Sequence, residues 1–197
     1  MSFLSSFFIT AITATFFENA IFARALGLSK FTIYLSRPKS IMHYGKFLTG
    51  VATASCALSW CFDALLADFG FYTYIKSVLF LICIILIYTA TIIFIKQKKP
   101  KLANLFVAGM VFSAFNCVPL GAMLIASAQK YSFWQTIGLG FGMGIGFTLS
   151  CLLVYFGRQR LAISNISRSF KGMPIILIYI GLISLAIYGL IGHQLPT

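Results

Sequence analysis

Charge is scarce in this chain: 9% of its 197 residues are Asp, Glu, Lys or Arg, and only three are acidic. A soluble domain carries about 25% charged residues to cover its surface, so a free-standing soluble protein is excluded. The length allows one compact bundle and leaves nothing for a separate soluble domain. Alternating strands of about ten residues are also missing, which excludes a transmembrane barrel. The run from Ser2 has no basic residues ahead of it, contains Glu18 and Asn19, and ends in no small-residue cleavage site. It therefore reads as a spanning segment and not as a signal peptide. No lipidation or retention motif is visible. The five cysteines, at 56, 61, 83, 117 and 151, have neither disulfide-framework nor zinc-ribbon spacing, and most read as small buried hydrophobes.

What the chain does have is hydrocarbon. Apolar residues make up 60% of it, and they run around whole helical turns instead of along one stripe. Six stretches stand out, at about 3–28, 44–66, 72–95, 102–127, 132–156 and 173–192. Each is long enough to supply the ~20 helical residues that cross a ~30 Å hydrocarbon core. The net charge of +12 is not a nucleic-acid footprint, because the basic residues fall in short clusters between the apolar runs. Lys30, Arg37, Lys39 and Lys46, then Lys96, Lys98, Lys99 and Lys101, then Arg158, Arg160, Arg168 and Lys171 place twelve in alternate links. The other links hold only Lys76 and Lys130. Positive residues mark the cytoplasmic side, so both termini are expected outside. Residues 1–98 and 99–197 then form two three-helix units of opposite sense, and any duplication relating them is inverted.

Some residues are expensive in lipid. Glu18, Asn19 and Arg24 lie within seven positions of the first stretch, ahead of Gly27. Ionisable groups at such depth need partners or an interior to face. Glu18 and Arg24 are six positions apart and meet only if the helix is interrupted. The alternative is that Arg24 snorkels to the membrane edge and Glu18 holds the bundle together. The fourth stretch has Asn116, Cys117, Pro119 and Gly121 in close order, which predicts a broken helix. A cysteine at a break is suited to a soft metal, although one thiolate does not complete a four-ligand site. In the fifth stretch, Gly138, Gly140, Gly142, Gly144 and Gly146 alternate. Spacings of four, as in Gly138, Gly142 and Gly146, predict close helix packing. No strand precedes them, so they are not a dinucleotide loop.

Taken together these motifs resemble the Rnf/Nqr membrane subunits of the RnfA/NqrE type. Glu18-Asn19 through Leu26-Gly27-Leu28-Ser29 is similar to the family's Asn-Asn pair, basic residue and Leu-Gly-Leu-Cys. Asn116-Cys117-Val118-Pro119-Leu120-Gly121 is similar to Asn-Cys-Ala-Val-Leu-Gly. The glycine-rich stretch, Arg158-Gln159-Arg160-Leu161-Ala162, Phe170-Lys171-Gly172 and Gly181 to Ala186 follow in matching order. The resemblance implies an all-α fold of six transmembrane helices in two inverted repeats, with broken first and fourth helices. It also implies a bacterial inner-membrane location and a homologous partner of opposite orientation, of the RnfE/NqrD type. Finally, it implies a [2Fe–2S] cluster shared with that partner, which relays electrons in a complex moving sodium or protons. Cys117 falls on one ligand position of the family, and Ser29 occupies the other, where the family has cysteine. A serine is a poorer iron ligand than a thiolate. Either the cluster takes a serine ligand, or the chain is a divergent paralogue acting as a transporter or as a structural subunit without a cluster. Lipid is the expected surrounding, and no nucleic acid is expected as a partner.

Overall fold

The computed structural model describes residues 3–27, 38–66, 72–98, 116–163 and 167–191. Among them the regular elements are helices: α1 (Phe3–Phe16), α2 (Pro38–Leu66), α3 (Tyr72–Lys98), α4 (Cys117–Ala128), α5 (Phe133–Ile163) and α6 (Met173–Ile191). A 3-10 turn, Arg168–Phe170, precedes α6. Helix starts follow local chemistry. Pro38, Pro119 and Pro174 each stand in a first turn, where a missing N–H has no intrahelical acceptor to lose. Ahead of α5, the backbone N–H and hydroxyl of Ser132 both donate to Gln135 Oε1, at 2.9 and 3.0 Å, in the manner of a capping box.

Four helical stretches are long and apolar enough to cross a membrane: Pro38–Leu66, Tyr74–Phe94, Phe133–Leu161 and Met173–Leu190. The other two helices, α1 and α4, have only 14 and 12 residues. At that length each covers roughly 20 Å, short of a ~30 Å core. The first apolar stretch is therefore not one helix through residue 28, because α1 stops at Phe16 and the chain continues in turns to Gly27. The fourth is described only from Asn116, where α4 is about to begin, and residues 102–115 lie outside the described part. The architecture is that of an all-α membrane protein in which α1 and α4, as described, are too short to cross the membrane on their own.

At the centre stands α5, with 61% of its apolar window buried against 11% for α6. It runs parallel to α1, since Phe3 meets Trp134, Phe7 meets Phe141 and Asn19 meets Ser150. It runs antiparallel to α2, with Trp60 on Phe133 and Tyr44 on Phe147. Its glycines form two rows. Gly138, Gly142 and Gly146 lie under the backbone oxygens of Phe7, Ala11 and Thr15 on α1, whereas Gly140 and Gly144 lie against Ala52 and Thr49 on α2. A step of four keeps a residue on one face, and an offset of two turns it about 200° around the helix. One alternating run thus lets α5 approach two neighbours on opposite sides at backbone contact. Leu48, Phe80, Met123, Leu139, Met143 and Val154 complete the core. Ile82, Leu86 and Ile93 on α3 and Leu182, Leu185 and Leu190 on α6 face outward, as apolar side chains in lipid do.

The bundle ends differ in charge. Lys39 and Lys46 in the first turns of α2, Lys96 near the end of α3, Arg158 and Arg160 near the end of α5, and Lys171 before α6 lie towards one end. The opposite end has Lys76 and Lys130, and there Ser127 Oγ donates to Asp63 Oδ1 at 2.8 Å, tying the end of α4 to that of α2.

Candidate functional site

The interruption of α1 is fixed by Asn19. The backbone N–H groups of Phe17 and Glu18 both donate to Thr13 O, at 2.8 and 2.9 Å, which ends the regular ladder. Asn19 then uses its whole amide. Its Oδ1 accepts from the N–H groups of Ile21 and Phe22 and from Ser150 Oγ, at 3.0, 3.3 and 2.8 Å. Its Nδ2 donates to Thr15 O and Gly146 O at 2.9 and 3.0 Å. Backbone groups released at a break inside lipid must find partners within the protein, and here the Asn19 side chain takes Thr15 O and the N–H groups of Ile21 and Phe22, while backbone carbonyls take those of Ala23, Ala25 and Leu26. Gly146 and Ser150 flank the middle of α5 (Phe133–Ile163), so the break lies near mid-depth.

Asn116 does the corresponding work at the other interruption. It is the N-cap of α4: its Oδ1 accepts from Val118 N at 3.2 Å, and its Nδ2 donates to Tyr44 Oη at 2.8 Å. Pro119 is in the first turn of this short helix, where its missing N–H has no intrahelical partner to lose. Gly121 lies one turn into the same helix. It makes room, because a Cβ there would fall 2.6 Å from Leu26 Cδ1.

These two interruptions touch. Gly27 has φ +80°, and a Cβ built on it would stand 2.6 Å from Asn116 Oδ1 and 2.7 Å from the Phe147 ring. Only glycine satisfies both the left-handed backbone and the contact. Leu26-Gly27 thus packs directly on Asn116 and Gly121, and Cys117 sits at this junction as the first residue of α4, exposed on the surface. It is placed at the positive end of a helix dipole at mid-depth. Ser29, the other residue predicted to join it, lies outside the described residues. Cys56, Cys83 and Cys151 are buried, Cys61 is exposed on α2, and among the described residues no group of three His, Cys, Asp or Glu side chains could hold a metal. Metal chemistry at Cys117 therefore needs ligands from beyond these residues.

Glu18 and Arg24, which an unbroken helix would separate, come together across the turns, with Arg24 Nη2 3.8 Å from Glu18 Oε1. Sequence reasoning missed Tyr44, Phe147, Ser150 and Leu26. Ser150 was recoverable, because it continues the four-residue row of Gly138, Gly142 and Gly146. Nothing in the local pattern of α2 singles out Tyr44, whose hydroxyl meets Asn116 across 72 positions of sequence.

Geometry defines a class: a multi-pass membrane protein in which the turns after α1 and the start of α4 converge beside an exposed thiol. Comparison with known proteins makes it specific. The model of the family described as Rnf-Nqr subunit, membrane protein, matches residues 7–193, and the chain belongs to that family. It is 30% identical over 175 residues to a subunit of the ion-translocating oxidoreductase complex of Proteus mirabilis, covering 89% of this chain and 91% of the relative. It is 28% identical to the corresponding subunit of the Na(+)-translocating ferredoxin:NAD(+) oxidoreductase complex of Acetobacterium woodii, over 93% of this chain and 96% of the relative. To its counterpart in the proton-translocating ferredoxin:NAD(+) oxidoreductase complex of Clostridium ljungdahlii it is 25% identical, over 96% and 98%.

Proposed function

We propose that this chain is the RnfA/NqrE-type membrane component of an ion-translocating electron transport complex, passing electrons through a centre shared with a homologous partner of opposite orientation (RnfE/NqrD type). The observation that carries the reading is the contact of Gly27 with Asn116 beside the exposed Cys117, in a chain matched by the family model almost end to end. The relatives belong to ion-translocating complexes by name, so the other components of such a complex are the expected partners.

A [2Fe–2S] cluster would fit this junction in part. Cys117 offers one thiolate at the surface, Ser29 is the only other ligand that the chain is expected to bring, and the rest belong to the partner. Such a group accepts and gives up single electrons when bound. This chain's part is positional: Asn116, held by Tyr44, fixes the first turn of α4, and Gly27 lets the other interruption close against it. Support for an inverted repeat comes from helix direction. The α1 helix enters from the sparsely charged end and stops at mid-depth, whereas α4 starts at mid-depth and runs to that same end, so the two run in opposite directions, as an inverted repeat requires. The basic end is the cytoplasmic side of the inner membrane and both termini are outside.

In membranes from cells lacking this chain, ion-coupled electron transfer is expected to fall to background and to return with the wild-type gene. Unchanged transfer would refute the assignment. Reporters fused after Leu66 and after Ser127 should read as external, and those after Lys99 and Arg168 as cytoplasmic; reversal of all four inverts the orientation. The Glu18–Arg24 pair favours a second reading, a transport paralogue, and ion uptake by proteoliposomes holding the isolated chain would select it.

A further inference from the structure

Between the interruption of α1 and the second half of α6 lies a cavity of about 590 Å³, whose wall includes Phe17, Glu18, Phe22, Arg24, Ser184 and Tyr188. Its walls are mostly apolar and its charges are a single pair. Arg24 Nη2 is 3.8 Å from Glu18 Oε1, beyond direct hydrogen-bond length, so the pair is loosely made. The other carboxylate oxygen, Oε2, is buried and has no hydrogen-bond partner among the described residues. A carboxylate oxygen cut off from water without a donor is strongly unfavourable, and a bound proton or cation removes that penalty. Arg24 is the one positive charge beside the same carboxylate among the residues lining this cavity.

We propose that Glu18 is an exchange carboxylate for a monovalent cation, proton or sodium, with Arg24 as the displacing charge. This rests on reading the chain as part of an ion-translocating complex. Arg24 faces Glu18 from its own segment, and α6 contributes Ser184 and Tyr188 to the same cavity. Gly146 and Ser150, through which α5 meets this segment at Asn19, do not titrate. Tyr131, in the link between α4 and α5, senses both charges. Burial raises its pKa, Glu18 raises it further, and Arg24 opposes them.

The purified complex, with its electron transfer first shown to be active, is treated with dicyclohexylcarbodiimide, which converts a protonated carboxyl to a stable acylurea. The peptide containing Glu18 is then followed by mass spectrometry. Glu18 is expected to be labelled. If the cation is sodium, sodium chloride at constant ionic strength slows labelling at least fivefold; if it is a proton alone, labelling falls with rising pH and ignores sodium. Arg24→Gln is expected to speed labelling severalfold, because the displacing charge is gone. Glu18→Gln should abolish the adduct and lower the ions moved per electron. An active complex in which Glu18 stays unlabelled, or reacts at a rate indifferent to pH, sodium and Arg24→Gln, overturns the inference and leaves the electron-transfer role standing. Loss of that role instead shows as a wild-type complex without electron transfer.

Discussion

If the proposed cluster is bound, Cys117→Ala is expected to abolish it, a complete loss and not a graded one. Cys117 is the exposed thiol at the junction, and among the described residues no cluster of alternative ligands lies near to replace it. Ser29→Cys works in the opposite direction. A thiolate at that position supplies the ligand whose place serine takes, so iron content is expected to be kept or raised. Iron per complex and the paramagnetic-resonance spectrum of the reduced sample read both variants. Iron retained in full by Cys117→Ala would exclude this residue as a ligand. Absence of iron from the wild type and from Ser29→Cys alike would favour a role without a cluster.

Gly142→Leu is the second large effect. A Cβ on Gly142 would run into the backbone oxygen of Ala11 and stand 2.8 Å from Ala14 Cβ, and the obstacle is partly backbone, which does not rotate away. Forcing α1 off α5 strains the hydrogen bonds that set the interruption. Thr15 Oγ1 donates to Gly142 O, Asn19 Nδ2 donates to Gly146 O, and Ser150 Oγ donates to Asn19 Oδ1. Overpacking of this kind costs about 1–3 kcal/mol. Gly181→Leu is the control. Nothing lies within 4 Å of a Cβ there, and the change should stay within about 0.5 kcal/mol. Thermal unfolding in detergent separates the two; equal midpoints would remove close packing as the reason for the glycine row.

How much of this was written in the sequence depends on the kind of signal. Hydrophobic length and charge placement are properties of whole stretches, and they gave the helices, the membrane and the charge difference between the bundle ends. Residues that lipid penalises, such as Asn19, Asn116 and Pro119, marked the interruptions, because a polar side chain or a missing N–H at depth needs a structural reason. The mechanism of each break was less legible. Pro119 and Gly121 pointed to a broken helix; in the described residues the proline stands in the first turn of a short helix and the glycine receives Leu26. Residue type alone does not distinguish these uses. Tyr44 carries no periodic signature, and its role depends on a contact between distant segments. The approach of Glu18 to Arg24 followed from the break itself, whereas their shared cavity with α6 depends on tertiary packing that spacing does not encode.

The most direct test of the central claim is to tag this chain in its own cells, extract the membranes in mild detergent and identify what comes with it. The account predicts a complex containing a homologous six-span protein in roughly equal amount, peripheral redox subunits, and iron that disappears when Cys117 is replaced. Recovery of the chain alone, or with copies of itself and without redox subunits, would contradict it.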